Sequence, residues 1–310
     1  MKITILGMAL LACSSWANAA SFSYTGPVVP IPDGLNLTGA NPGAAVEAPI
    51  SVSGFTQPVS KVTLSIDGQT CTSAIGSTTV GIDHTFVNDL RISLRSPDGT
   101  SVIVINQTDG SGNNLCQVVL DDSSPGPSIQ SVSTSQAPFT GTYTPNAPLS
   151  AFTGEQPNGQ WTLVAQDFFS ADTGSIRAWT INITEMQAQA ISFTSIPPAG
   201  AVVGGSPYVV AATGGSSGNP VVFSVDPSAS AVCSIAGSDV TLVAAGTCVI
   251  NADQAGNDAY SAAPQVQQSF RVTAVPTPKP VTPVPTLSQW SLILLAAMVG
   301  ALGLRTRRRR

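Results

Sequence analysis

The sequence predicts an all-β protein, in which a signal peptide, two β-sandwiches and one short C-terminal transmembrane helix follow one another. Between the two ends no long stretch shows helical periodicity. Short β-branched or alternating runs recur instead, as at 61–66, 90–94, 101–105 and 161–165. Glycine, proline, asparagine, aspartate and serine separate these runs, as they do at turns. Short strands at such regular spacing are typical of sandwiches.

The N-terminus has the three parts of a secretory signal peptide, which we assign to residues 1–19. A single lysine supplies the charge, residues 3–11 are largely apolar, and 17–19 form an A-x-A cleavage site. We therefore expect signal peptidase to cut between Ala19 and Ala20. One alternative stays open: the run that ends at Cys13 resembles a lipobox, in which this cysteine is lipidated.

The composition agrees with export. Charged residues make up 9% of the 310 residues, and the chain has 28 glycines and 24 prolines. Once Lys2 and the five C-terminal arginines are set aside, six cations face seventeen acids, which is a formal charge of −11. Because phosphates need cationic partners, this acidity excludes nucleic acid as a ligand. Acidity does suit divalent cations or a solvated surface.

Four cysteines remain beyond the signal peptide, and they form two well-separated pairs. Cys71 and Cys116 lie in the first predicted domain, and Cys233 and Cys248 lie in the second. Pairing within each domain is the economical choice among the three connectivities that four cysteines allow. An oxidising periplasm permits both disulfides. No C-x-x-C spacing or cysteine–histidine cluster indicates zinc or redox chemistry.

The C-terminus combines an apolar run with a basic end. The thirteen residues 292–304 span roughly 20 Å at about 1.5 Å each, which is short of the ~30 Å hydrocarbon core. Adding 287–291, with Trp290 at the headgroup level, extends this helix to a marginal span. Arginines resist transfer across a membrane, so the C-terminus stays cytoplasmic and the rest faces outward. These arginines are Arg305, Arg307, Arg308, Arg309 and Arg310.

A short motif precedes the apolar run: Val284, Pro285, Thr286, Leu287, Ser288, Gln289 and Trp290. Residues 284–310 resemble the IPTL-CTERM sorting signal of Gram-negative bacteria, with Val284 in place of the usual isoleucine. The resemblance implies processing by an exosortase-type enzyme and a place at the cell envelope or outer surface. A plain C-terminal membrane anchor is the alternative. The proline-rich linker 275–283 favours an extended polyproline II conformation.

The first domain, 22–184, carries a long ordered motif. Residues 84–100 read H-T-F-V-N-D-L-R-I-S-L-R-S-P-D-G-T, and later runs place Trp161 and Trp179 in alternating β patterns. These residues resemble the P domain, also called Homo B, which follows the catalytic domain in kexin-like and furin-like subtilisin-type proteases. The resemblance implies a jelly-roll β-sandwich associated with a serine endopeptidase that it helps to fold. We expect both tryptophans to lie in the core.

We expect no catalytic centre in this chain. A Ser-His-Asp mechanism needs a base histidine, and the single histidine, His84, has a framework place in the matched motif. The P-domain resemblance begins almost directly after the signal peptide, with no protease domain before it. Asp121 and Asp122 are adjacent, so on a strand their side chains would diverge rather than face each other for glycoside hydrolysis.

Calcium binding fits such acids better than glycoside hydrolysis does, because calcium takes several oxygen ligands from flexible loops. Related P domains can carry calcium sites, and the resemblance makes calcium the candidate cofactor here. Turn capping and solvation of loop acids remain the alternative. The candidate ligands are Asp89, Asp121, Asp122, Asp167 and Asp172.

The second domain, 190–274, resembles a bacterial immunoglobulin-like module. The resemblance rests on the runs 232–235 and 246–250, which hold Cys233 and Cys248, and on the run 254–266. The residues 236–239 between two β runs predict a hairpin whose outer strand ends the disulfide joins. We expect this module to act as a spacer.

These features together predict a non-catalytic exported surface protein that displays a P domain for binding, adhesion or matrix assembly. Its partners would be signal peptidase, the exosortase-type enzyme, the membrane through its C-terminal helix, and an envelope polysaccharide or surface protein. The alternative follows from the family: the P domain would help to fold, dock on or regulate a subtilisin-like protease supplied as another chain.

Overall fold

Strands dominate the fold. The computed structural model describes residues 17–276 and 289–307. Its one described α-helix is α1 (Gln289–Arg307), and the remaining elements are strands and 3₁₀ turns. The predicted all-β class is confirmed. The predicted signal peptide lies outside the described residues, except for its last three positions, 17–19.

Twelve strands form the first unit. They are β1 (Ala19–Ser23), β2 (Val29–Ile31), β3 (Val46–Val52), β4 (Val59–Ile66), β5 (Ile82–His84), β6 (Leu90–Arg95), β7 (Ser101–Asn106), β8 (Leu115–Leu120), β9 (Phe139–Tyr143), β10 (Gly159–Asp167), β11 (Gly174–Ile176) and β12 (Trp179–Glu185).

These strands form two sheets that enclose one core. The larger sheet has the order β1-β12-β4-β8-β5-β11-β2, with β9 parallel to β8, and the smaller has the order β3-β10-β6-β7. Alternate residues of the strands point inward, so that Leu90, Ile92 and Leu94 of β6 are fully buried. Trp161 and Trp179 are also fully buried, as the alternating patterns predict.

Nine strands form the second unit. They are β13 (Ser192–Phe193), β14 (Ala201–Val202), β15 (Tyr208–Val209), β16 (Ala212–Thr213), β17 (Val221–Val225), β18 (Cys233–Ala236), β19 (Asp239–Leu242), β20 (Gly246–Gln254) and β21 (Val266–Thr273).

Three small sheets make up this second unit, with the orders β14-β21-β20-β17, β15-β19-β18 and β13-β16. The predicted hairpin is present as β18 and β19, which pair from Cys233 with Leu242 to Ala236 with Asp239. Gly237 supplies the positive φ, 63°, that its tight turn needs.

Both predicted disulfides are present. Cys71 joins Cys116, and Cys233 joins Cys248. The second bond differs from the expectation in one respect. Cys233 lies on β18 and Cys248 on β20, so the bond connects the hairpin's sheet to the larger sheet instead of joining the ends of the hairpin itself. The pattern of the sequence could not assign these strands to separate sheets.

The segment between the two units is hydrogen-bonded to the second. The Gln187 N–H donates to the Ala259 carbonyl at 2.7 Å, and the Ser261 N–H donates to the Gln187 carbonyl at 3.0 Å. The buried Gln189 amide donates to the Ser261 carbonyl at 2.9 Å. From the first unit, the Ser60 hydroxyl donates to the Asp258 carbonyl at 2.7 Å. The segment 187–189 and Ser60 are therefore both hydrogen-bonded to backbone carbonyls of the second unit.

The C-terminal helix forms where the apolar run predicts one, over Gln289–Arg307. Among the described residues, however, no helix is long and apolar enough to cross a membrane. The predicted transmembrane helix is therefore not found. The physical reason is the one already visible in the sequence, since the apolar run has only thirteen residues and arginines begin at 305.

Candidate functional site

Three loops converge at one end of the first sandwich. They are 32–45 between β2 and β3, 85–89 between β5 and β6, and 168–173 between β10 and β11. Backbone hydrogen bonds join them: the Gly34 N–H donates to the Phe169 carbonyl at 3.0 Å, and the Thr85 N–H to the Thr173 carbonyl at 3.3 Å. We call this the three-loop end. It holds Asp89, Asp167 and Asp172, three of the five predicted calcium ligands.

His84 and Asp167 form a buried pair at the base of these loops. His84 Nε2 lies 3.2 Å from Asp167 Oδ2, and both side chains are fully shielded from solvent. Because a carboxylate oxygen only accepts, Nε2 carries the proton in this contact. His84 Nδ1 lies 2.8 Å from the Phe86 carbonyl, and the Phe169 N–H donates to Asp167 Oδ1 at 3.0 Å. Both side chains are thus engaged in holding the loops.

Asp89 ends the 3₁₀ turn Val87–Asp89 and is 6% exposed. The pKa of Asp89 is raised to about 6, chiefly by burial and then by the negative charges of Asp167 and Asp172, while His84 opposes the shift. The Asp172 carboxylate also accepts a hydrogen bond from the Thr85 hydroxyl at 2.6 Å. The carboxyl groups of Asp89, Asp167 and Asp172 therefore lie close enough together to influence one another electrostatically.

An orphaned polar atom adjoins this cluster in sequence. Asn88 Oδ1 is buried and has no hydrogen-bond partner. Carboxylate and amide oxygens are the ligands that calcium prefers. Within residues 17–276 and 289–307, however, no group of three or more His, Cys, Asp or Glu side chains is arranged to hold a metal. A cation here would have to take backbone, amide or water oxygens as well.

Asp33 also belongs to the three-loop end, and the sequence analysis missed it. Its carboxylate accepts the N–H of Ala171 at 3.1 Å and the N–H of Asp172 at 3.3 Å. Ala171 has a φ of 87°, a conformation that alanine rarely adopts. Asp33 thus holds a strained loop in place. Its only sequence signal is a Pro-Asp-Gly turn, which says nothing about its distant partners.

Asp121 and Asp122 are engaged elsewhere. Asp121 Oδ2 pairs with Lys61 Nζ at 2.9 Å. Burial raises the pKa of Asp121, but hydrogen bonds from Lys61 and Ser123 outweigh it and leave the pKa below its usual value. Asp122 accepts the N–H groups of Leu149 at 2.8 Å and Ser150 at 2.7 Å. Asp121 therefore forms an ion pair, and Asp122 caps the turn that begins at Leu149.

A cleft of about 400 Å³ lies beside these two acids, where the first unit meets the second. Ser60, Lys61 and Asp122 line it from the first unit, and Asp258 and Ala259 line it from the second. Lys61 and Asp122 are already paired with neighbours, so of the charged groups that line the cleft the exposed Asp258 carboxylate is the one left to meet a ligand.

One serine motif was passed over in the sequence. Residues 214–218 read G-G-S-S-G, which has the G-x-S-x-G spacing of a hydrolase nucleophile elbow. Such an elbow needs a strand, a sharp turn and a helix. Here the run, with Ser216 at its centre, lies in the loop between β16 and β17, so a strand follows it where an elbow has a helix. The surroundings do not match those of a nucleophile.

Family comparisons match two parts of the chain. Residues 76–183 match the proprotein convertase P-domain, and residues 282–310 match the IPTL-CTERM motif. The P-domain and IPTL-CTERM resemblances noted in the sequence are thereby confirmed for these two segments. The P-domain match includes His84 and all five candidate calcium ligands, while β1 to β4 lie N-terminal to it and complete both sheets of the sandwich.

Proteins similar to this chain include two of much greater length. Leupeptin-inactivating enzyme 1 of Streptomyces exfoliatus is 30% identical over 187 residues, which is 58% of this chain and 33% of that one. A calcium-dependent protease of Trichormus variabilis is 32% identical over 108 residues, covering 34% of this chain and 13% of that protein. The chain thus spans a third or less of these relatives.

A solved serine protease of Aeromonas sobria is also similar. It shares 18% identity, with coverage of 52% of this chain and 27% of that chain, and a TM-score of 0.26. A score this low supports no argument about fold or function. The P domain is therefore linked to proteases through its family and its sequence relatives.

Proposed function

We propose that this chain is an exported envelope protein that presents its P domain for binding and has no catalytic centre of its own. The observation that carries the proposal is the state of His84. It is the single histidine of the sequence, it is 1% exposed, and its Nε2 is engaged with Asp167. A general base must reach its substrate, and this histidine is enclosed by the fold.

The C-terminal motif supports the proposed location. The IPTL-CTERM match suggests exosortase-type processing and an exported, surface-anchored protein. We extend this to a Gram-negative envelope, with signal peptidase cleavage between Ala19 and Ala20. The second unit would then act as an immunoglobulin-like spacer, and the P domain would contact an envelope polysaccharide or another surface protein.

A chemical probe tests the absence of catalysis. The full chain is treated with a fluorophosphonate, which labels activated serines, and in parallel with casein. We expect neither labelling nor cleavage, while subtilisin as a control shows both. Ser216→Ala is the matched variant, because Ser216 holds the central place of the G-x-S-x-G run and is exposed. Labelling that is lost in Ser216→Ala would overturn the proposal.

A second function is favoured by two relatives that are named calcium-dependent proteases. The P domain would then dock on a subtilisin-like endopeptidase supplied as a separate chain and help to fold or regulate it. Crosslinking capture from the native cell surface separates the two functions. Recovery of a subtilisin-like protease, lost when 22–184 is deleted, would replace the first proposal with the second. Recovery of polysaccharide or surface proteins without a protease supports the first.

We also propose that the three-loop end binds calcium. The carboxylates of Asp89 and Asp172 and the orphaned Asn88 Oδ1 are hard oxygen ligands, which calcium prefers. Two relatives are named calcium-dependent proteases. Bound calcium would supply the positive charge that this end lacks. Asp121 and Asp122 are left out of this proposal, because their oxygens are already engaged with Lys61 and with backbone N–H groups.

A further inference from the structure

Two leucines project from the three-loop end. Leu35 is 77% exposed and Leu37 is 76% exposed, both in the loop 32–45. Phe86, in the neighbouring loop 85–89, is 43% exposed. A protein surface seldom presents several large apolar side chains together unless they contact something. We call Leu35, Leu37 and Phe86 the apolar apex.

The loop that carries the leucines is held by its own hydrogen bonds. The Leu35 N–H donates to the Asn41 carbonyl at 2.8 Å, and Thr38 donates from its N–H and its hydroxyl to Asn36 Oδ1 at 3.1 and 3.0 Å. Gly39, with a φ of 70°, lies against the Phe169 ring so closely that a Cβ would collide with it. The leucines are therefore presented outward by an ordered backbone.

Polar contacts connect the two parts of the apex. The Ser170 N–H donates to the Asn36 carbonyl at 3.0 Å, between the two leucines in sequence. Asp33 accepts the N–H of Asp172, and Asp172 accepts from the hydroxyl of Thr85, the residue before Phe86. The loops 32–45 and 85–89 are thus fastened to the same loop, 168–173. All three apolar side chains belong to one end of the sandwich.

The shape and charge of this end favour a lipid surface as its partner. Projecting side chains enter the boundary between headgroups and acyl chains without needing a complementary pocket. The IPTL-CTERM match supports a place beside a membrane. Behind the apex lie the carboxyl groups of Asp33, Asp89, Asp167 and Asp172, and Arg91 lies over the Phe168 ring. This excess of acids disfavours anionic headgroups.

We propose that Leu35, Leu37 and Phe86 insert into a lipid surface rich in zwitterionic headgroups. Burying a leucine or phenylalanine side chain contributes to such insertion in proportion to its apolar area. The acids behind the apex then select against anionic lipid through repulsion. The proposal does not depend on calcium, and its test is carried out in EDTA so that the two remain separate.

Quenching of tryptophan fluorescence by brominated lipid tests this insertion, with the full chain bound to vesicles. Leu37→Trp is placed in a Trp16→Phe/Trp290→Phe background, because the two remaining tryptophans, Trp161 and Trp179, are fully buried and give a constant signal. The vesicles are phosphatidylcholine with brominated acyl chains. The matched control is Val243→Trp, at a position 53% exposed on the second unit. Any binding through the C-terminal helix is common to both variants.

We expect the tryptophan of Leu37→Trp to be quenched by the brominated lipid and that of Val243→Trp to remain unquenched. Adding Leu35→Ser to Leu37→Trp should reduce the quenching, and replacing about a third of the lipid by phosphatidylglycerol should reduce it too. Leu35→Trp provides a second reporter if the first variant folds poorly. Equal quenching at the control position, or none at either leucine, would overturn the proposal.

Discussion

His84 and Asp167 connect the two sheets of the P domain. His84 ends β5 in the larger sheet, Asp167 ends β10 in the smaller, and His84 Nε2 lies 3.2 Å from Asp167 Oδ2 with both side chains fully buried. The contact lies directly under the three-loop end, where Asp167 also accepts the Phe169 N–H. This buried contact supports the framework role that the sequence motif predicts for His84.

Removing one member of this pair should destabilise the P domain strongly. Asp167→Ala leaves His84 buried without its acceptor and frees the Phe169 N–H. Breaking a buried pair in this way typically costs about 3–5 kcal/mol. We expect the free energy of unfolding to fall by roughly 3 kcal/mol in urea denaturation followed by tryptophan fluorescence.

Asp109→Ala is the matched control for this prediction, because Asp109 is exposed and only its backbone N–H is used, toward Gln130. Its free energy of unfolding should stay within about 0.5 kcal/mol of the wild type. If Asp167→Ala proved equally harmless, the pair would contribute nothing to the fold, and the framework role of His84 would be wrong.

The raised pKa of Asp89 predicts a pH dependence of stability. Its pKa is about 6 in the folded protein against 3.8 as the reference value. The folded state therefore holds this proton more tightly than the unfolded state does. The resulting stabilisation is complete below the unfolded pKa and is lost as the pH rises through about 6.

The measurement is the Tm of the wild type minus that of Asp89→Asn, in EDTA, across this pH range. The difference between the two proteins is needed because Asp121, whose pKa is lowered, contributes the opposite slope. We expect the wild type to lose Tm relative to Asp89→Asn as the pH rises. A flat difference would show that Asp89 does not bind its proton more tightly in the folded state.

Calcium bound at the three-loop end should reverse the loss of stability that occurs as the pH rises. A ligand that binds only the folded state stabilises it by about 2.7 kcal/mol at a hundred times its Kd. We expect calcium to raise the Tm at neutral pH, and to raise it less at a pH below 6, where protons compete for Asp89.

Two substitutions make the calcium measurement specific. Asp172→Asn should abolish the rise in Tm, whereas Asp121→Asn should retain it, because Asp121 is engaged with Lys61 outside the three-loop end. The same rise in both variants would place calcium elsewhere in the chain. No rise in the wild type at millimolar calcium would dismiss the proposal.

Some of this architecture could be predicted from the sequence, for physical reasons. Alternation at 90–94 predicts a strand with one buried face, and the structure has β6 there. The acids were harder to place. Asp89 and Asp172 meet only because β5 and β10 end, and β11 begins, at the same edge. That arrangement depends on the order of the strands in two sheets. Asp121 and Asp122 were predicted as ligands because they are adjacent. Their carboxylate oxygens instead accept hydrogen bonds from the Ser123 hydroxyl and the Leu149 N–H.

Nothing in the sequence predicts the hydrogen-bond partners of Asp33 or the exposed positions of the apolar apex. A single aspartate in a turn is common, and its partners Ala171 and Asp172 lie in a loop more than a hundred residues away. Leu35 and Leu37 fit the pattern of a short strand as well as that of an exposed loop. Only the backbone hydrogen bonds of the loop decide that they face outward. Alternation alone cannot distinguish these cases.

The two disulfides should stabilise their own units separately. The chain-entropy estimate is about 3 kcal/mol for Cys233–Cys248 and about 4 kcal/mol for Cys71–Cys116, since the larger loop loses more freedom when closed. Trp161 and Trp179 lie in the first unit and no tryptophan lies between 190 and 274, so tryptophan fluorescence in a Trp16→Phe/Trp290→Phe background reports the first unit alone.

We therefore expect Cys233→Ala/Cys248→Ala to lower the unfolding transition seen by circular dichroism while leaving the fluorescence transition in place. Cys71→Ala/Cys116→Ala should shift the fluorescence transition. The contacts of Gln187 with Ala259 and of Ser60 with Asp258 are the links that could couple the units. If both transitions move together in either variant, those links carry stability from one unit to the other, and the second unit is then more than an independent spacer.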